Sequence, residues 1–95
     1  MKIKKNPDLI LRNIAGECVL IPTGELAAKF NGMITLNTTA KFIWEHMEEV
    51  ASEAELTALM LDAFEIDKKT AASDVHGFLM TALQVGYVKD EDKAE

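Results

Sequence analysis

An α+β fold, a three-stranded antiparallel sheet followed by three helices, is what this sequence predicts. β-Branched and aliphatic runs bounded by turn residues crowd the stretch from Leu9 to Leu36, and from Asn37 onward apolar residues recur at helical spacing. A length of 95 residues holds these elements to a single domain with one core and no deep cleft between lobes.

The strands come first. LILRNI (9–14) and ECVLIP (17–22) are short β-type runs separated by Ala15-Gly16, which suits a tight hairpin. Pro22 ends the second run, or marks it as an edge or a bulge. The connection TGELAAKFNG (23–32) carries the turn signals Gly24 and Asn31-Gly32 and has room for a further strand or a loop. Met33, Ile34, Thr35 and Leu36 then form the third strand, which meets a helix start with no Gly or Pro between them.

Asn37 or Thr38 caps the first helix, whose Ala40, Ile43, Trp44 and Met47 share one face, with Phe42 off it. Ser52 and Glu55 have capping-box spacing at the start of the second, where Leu56, Leu59, Met60, Ala63 and Phe64 form the stripe. The third runs from about Asp67 to Val85, turns Ala71, Val75, Phe78, Leu79 and Ala82 inward, and ends at Gly86, a residue suited to a left-handed cap. Tyr87-Val88-Lys89 is a candidate closing strand, and the charged tail 90–95 is expected to fray.

The third helix is apolar on more than one side. His76, Met80 and Leu83 form a second flank beside the core face, and Asp74, Phe78, Thr81 and Val85 form another. Either flank could be packed core or the wall of a groove, and periodicity does not choose.

Composition narrows the function. The hydrophobic share of 48% and charged share of 27% are those of a soluble globular chain, and a net charge of −6 disfavours nucleic acid and anionic membrane as partners. Cys18 is the single cysteine, which excludes an intrachain disulfide, suggests a reducing compartment and reads as a small buried hydrophobe. No run is long enough to span a bilayer and MKIKKNPD lacks the apolar segment of a signal peptide, so the expected location is the cytoplasm. His46 and His76 have no metal-ligand company, and neither a phosphate loop nor a nucleophile motif occurs. The expectation is a protein with no metal, no cofactor and no catalytic residues.

The junction LNTTAKFIW resembles the L-N-x-T-A-x-x-I-W pattern of the PqqD family, named for coenzyme PQQ synthesis, at Leu36, Asn37, Thr39, Ala40, Ile43 and Trp44. IAGECVLIP, FEID and DVHGFLMTALQVGYV are supporting segments, and the resemblance covers about residues 9–89. It implies a single winged-helix-like domain over 1–95, a recognition element and peptide chaperone that binds the leader segment of a ribosomally made precursor peptide. A modifying enzyme, typically a radical SAM protein, would receive the peptide. In that picture the peptide adds as a strand beside the third strand and packs on the third helix.

The binding residues expected on this basis are the strand Met33, Ile34, Thr35 and Leu36, the helix residues His76, Leu79, Met80 and Leu83 as apolar anchors, and Lys68 and Lys69 for acidic leader residues. Family membership by itself does not establish PQQ biosynthesis. Two readings of other classes stand beside it. One is a winged-helix DNA-binding regulator, for which the third helix offers only Lys68 and Lys69 as cations. The other is a structural module that forms a homodimer through the open sheet edge.

Overall fold

The computed structural model describes residues 2–29 and 32–92; Asn31 of the expected turn and residues 93–95 of the charged tail lie outside them. The elements run in the order β1 (Ile3–Lys5), β2 (Leu9–Ile14), β3 (Glu17–Pro22), α1 (Gly24–Lys29), β4 (Ile34–Leu36), α2 (Thr38–His46), α3 (Glu53–Ala63), α4 (Lys68–Val85) and β5 (Val88–Asp90). The main sheet is antiparallel with strand order β2-β3-β4, and β1 pairs separately with β5.

The β2-β3 hairpin closes on Ala15 and Gly16, both with positive φ (52° and 83°), and its last register pair is Ile14 with Glu17. Two consecutive left-handed residues match the right-handed twist of the flanking strands. Glycine adopts that geometry freely, whereas alanine does so at a cost. Along the hairpin the period of two brings Leu11, Leu20 and Ile34 into one row and Cys18 and Leu36 into the next, all packed into the hydrophobic core.

Between β3 and β4 the chain forms the short helix α1, where a loop or further strand was expected, and Leu26 on it is buried in the core. The N-terminal strand β1 was not anticipated either. MKIKK has no distinctive alternation, and its strand character comes from pairing with β5 at the other end of the chain, in the register Ile3 with Asp90, Lys4 with Lys89 and Lys5 with Val88. Ile3 and Val88 are both buried, so the ribbon closes one end of the core. Asn6 reinforces it by donating from its backbone N–H to the Tyr87 carbonyl (2.9 Å) and from its side chain to the Gly86 carbonyl (3.1 Å).

The helices begin where their caps stand. Asn37 caps α2 with Oδ1 accepting from the Ala40 N–H at 2.8 Å, and Ser52 caps α3 with Oγ accepting from the Glu55 N–H at 3.1 Å. Ile43, Trp44 and Met47 are buried as their spacing required. α3 departs from expectation by a small rotation: Leu56, Thr57 and Met60 are buried, while Leu59 is exposed. Thr57 can take a buried position because its hydroxyl donates to the Glu53 carbonyl at 2.8 Å. Phe42 crosses to Phe64 in an edge-to-face pair with centroids 5.3 Å apart, linking α2 to the end of α3. On α4 a single stripe of Ala71, Val75, Leu79 and Ala82 is buried, and Gly86 ends the helix in the left-handed conformation at φ 89°.

The strained alanine gives a direct test. Ala15→Asn, which keeps the turn and prefers the left-handed region, is expected to raise the stability measured by urea unfolding by roughly 0.5–1 kcal/mol.

Candidate functional site

Strand β4 lies at the edge of the main sheet. One side of it pairs with β3, and among the described residues no strand pairs with the other. Ile34 and Leu36 turn their side chains to the core, whereas Met33 and Thr35 are exposed. The strand stops at Leu36 because Asn37 immediately caps α2, with the Thr39 hydroxyl donating to the same Oδ1 at 3.1 Å. Half of the backbone N–H and C=O groups of an edge strand point away from the sheet and are open to a further extended chain.

Beside this edge runs an open groove of about 830 Å³. Its walls are the edge itself (Ile34, Thr35, Leu36), the start of α2 (Ala40, Lys41) and the Phe78, Thr81 and Tyr87 side of α4 and its exit. A second depression of about 400 Å³ between α2 and α4 shares Asn37, Ala40, Phe78 and Thr81 with it and extends the surface to Ser73, Asp74 and Gly77. The combined surface is mixed in character, with Ile34, Leu36, Ala40 and Phe78 among its apolar lining residues and Glu17, Lys41 and Asp74 as its charged ones. An extended peptide is the ligand shape that fits an open edge next to such a trough.

Not all residues singled out from the sequence meet here. Ile34, Thr35 and Leu36 line the groove, and Met33 precedes them as an exposed side chain. Leu79 is 1% exposed and belongs to the core stripe of α4. His76, Met80 and Leu83 lie outside the groove, and Lys68 and Lys69 sit exposed in the first turn of α4, also outside it. His76 instead reaches across to α3, where its Nδ1 is 3.0 Å from Glu53 Oε1. The flank of α4 that faces β4 is the one carrying Phe78 and Thr81. Both flanks look alike in the sequence; the position of the sheet sets only which of them lines the groove. Tyr87, Lys41 and Asn13 also line the groove without having been singled out; only the fold brings them together.

Cys18, half-buried on β3, lines one end of the groove, and both histidines pair with glutamates on the surface, His46 with Glu49 at 3.1 Å. Among the described residues no group of three or more His, Cys, Asp or Glu side chains is placed to hold a metal ion, and no helix is long and apolar enough to cross a membrane.

A family model described as coenzyme PQQ synthesis protein D (PqqD) matches residues 17–88. Among solved structures, a chain of "Lasso peptide synthetase B1 complexed with the leader peptide" superimposes with a TM-score of 0.74 at 16% identity, covering 95% of this chain and 100% of that one. A chain of "TbiB1 in Complex with the TbiA(beta) Leader Peptide" gives 0.68 at 20% identity, with 100% of both chains covered. At these identities the likeness is one of fold. No curated protein sequence matches the chain.

The two neighbours Leu79 and Met80 separate core from surface. Leu79→Ala is expected to cost about 2–5 kcal/mol in chemical unfolding, and Met80→Ala to stay within about 0.5 kcal/mol of the parent.

Proposed function

Because the chain belongs to the PqqD family, we propose that it is a non-catalytic adaptor that captures the leader segment of a ribosomally synthesised precursor peptide and presents it to a modifying enzyme. The observation that carries this reading is the open edge of β4 running beside a groove whose lining includes Ile34, Leu36, Ala40 and Phe78 and whose far wall is α4. A leader peptide added antiparallel or parallel to β4 would satisfy the outward backbone groups of Met33–Leu36 and press alternate side chains against Phe78, Thr81 and Tyr87. That both solved structures of like fold are complexes with leader peptides supports the same ligand class.

Magnitudes explain why edge and groove are needed together. Each added backbone hydrogen bond contributes about 0.5–1.5 kcal/mol net, and β4 is only three residues long, so strand addition alone binds weakly once the peptide's ordering is subtracted. One or two leader side chains buried in the groove, at ~1.5–3 kcal/mol each, bring the affinity to the micromolar range. The main chain supplies register and the groove supplies selectivity.

The partner on the other side of the reaction is a peptide-modifying enzyme, for which the family resemblance favours a radical SAM protein. The adaptor holds the leader while the enzyme acts on the segment that follows. This requires no catalytic group of the adaptor and fits a cytoplasmic pathway.

An NMR titration of labelled protein with the leader peptide of a precursor encoded beside this gene tests the reading. Saturable shifts at residues 33–36 and 78–87 are expected. Thr81→Arg, which fills the groove from an exposed helical position, should weaken binding by about tenfold or more, while Gln84→Arg on the solvent side of the same helix should not. An unshifted β4 at saturating peptide would exclude strand addition, and edge amides already protected in the free protein would assign the edge to a second copy of the chain.

A further inference from the structure

Groove and flank occupy different sides of α4. At about 100° per residue, Met80 and Leu83 project roughly opposite to Phe78 and Thr81, so a peptide lying along β4 leaves them untouched. Both are exposed, Met80 at 52% and Leu83 at 36%, on a helix whose core stripe is otherwise fully covered.

Next to Leu83 the β1-β5 ribbon adds charge. A cavity of about 450 Å³ is lined by Leu83, Gly86, Val88, Asn6, Pro7 and three lysines, Lys4, Lys5 and Lys89, with no carboxylate among the lining residues. Lys5 is already engaged: its Nζ lies 4.0 Å from Glu48 and 5.4 Å from the centre of the Trp44 ring. Lys4 and Lys89 are directly opposite each other in the ribbon, both exposed, and among the described residues neither has an ion-pair partner. Like charges facing each other across two strands repel. In a chain of net charge −6, two lysines without an ion-pair partner among the described residues, lining a cavity with the exposed Leu83, are a local departure from the overall sign. The nearest acidic groups of the ribbon, Asp90, Glu91 and Asp92, follow Lys89 toward the end of the described chain, and the Asp90 carboxylate is occupied with the Lys2 and Asp92 backbone N–H groups.

We propose that the Met80–Leu83 flank of α4 and the Lys4–Lys89 pair form a docking surface for the peptide-modifying enzyme, which presents to it an acidic segment with an apolar anchor. This rests on the adaptor reading above. The enzyme's carboxylates come between Lys4 and Lys89 and relieve their repulsion, and its apolar side chain enters beside Leu83. Leader and enzyme then bind opposite sides of α4 and do not compete for the same surface, which is what an adaptor that presents one to the other requires.

The test uses this protein, a purified radical SAM peptide-modifying enzyme and the leader peptide of that enzyme's precursor, with affinities for enzyme and for leader peptide measured separately by calorimetry. Lys4→Glu replaces the repulsive pair by an attractive one, so the fold should melt no lower than the parent, yet affinity for the enzyme should fall by about tenfold or more. The double variant Lys4→Glu/Lys89→Glu and Met80→Ser should weaken the enzyme as well, and raising salt from about 0.05 M to about 0.5 M should weaken the parent complex. Leader affinity should change less than about twofold in all of these. The docking surface is overturned if the parent fails to bind the enzyme, or if charge reversal leaves enzyme affinity and its salt dependence unchanged. Concentration-dependent self-association of the parent that is lost in Lys4→Glu would assign the surface to the acidic face of a second copy and also overturn the enzyme as occupant. Loss of leader binding in the parent, with lysine-dependent enzyme binding intact, would instead remove the leader-capture reading and leave the docking surface standing.

Discussion

Everything in this domain leans on the stripe of α4 made by Ala71, Val75, Leu79 and Ala82, none more than 1% exposed. Burial of that stripe removes apolar surface from water along most of the longest helix. The two alanines at its ends leave little side chain between α4 and its neighbours, and the larger Val75 and Leu79 fill the middle. The same packing fixes how α4 is rotated about its axis. Its Phe78 side therefore overlooks β4, and its Met80 side faces outward. A helix anchored along one narrow line leaves Met80 and Leu83 exposed on one flank and turns Phe78 and Thr81 to the groove on the other.

Most of that arrangement is legible in the sequence. The β2-β3 hairpin, the strand before Asn37, the caps at Asn37 and Ser52 and the left-handed Gly86 are local features, written in residues next to one another, and the structure has them. What the sequence hides is set by distant partners. β1 is a strand because β5 is there to receive it, and α1 is a single short turn-rich helix whose only strong signal is Leu26. Thr57 replaces Leu59 on the buried side of α3 because the Glu53 carbonyl satisfies its hydroxyl, a compensation that periodicity does not count. The open edge of β4 follows from strand order, yet which flank of α4 faces it does not, since His76, Met80 and Leu83 are as regularly spaced as Phe78 and Thr81.

An edge strand is a hazard as well as an opportunity, because any extended chain can pair with it. Here β4 is three residues long and is ended at once by the Asn37 cap, so the template it offers is brief. A short template discriminates poorly by main chain and cannot hold a stray strand firmly. On the proposed reading, selectivity would pass to the side chains that line the groove beside the strand, Phe78, Thr81 and Tyr87, and a weak edge would become a specific one only for a peptide whose alternate residues fit there.

The β1-β5 ribbon joins the two ends of the described chain, with the Glu91 N–H donating to the Lys2 carbonyl at 2.8 Å. Closing that contact orders nearly the whole chain as one loop, and entropy makes such long-range pairings late to form. They are correspondingly early to open, and the ribbon is short, so it can detach as a local unit while the helices and main sheet stay folded. On the proposed reading the two surfaces would differ in lifetime: the β4 groove would last as long as the core does, whereas the lysine face would exist only while the ends are clasped. Opening of the ribbon would then release the proposed enzyme while the leader stays in the groove.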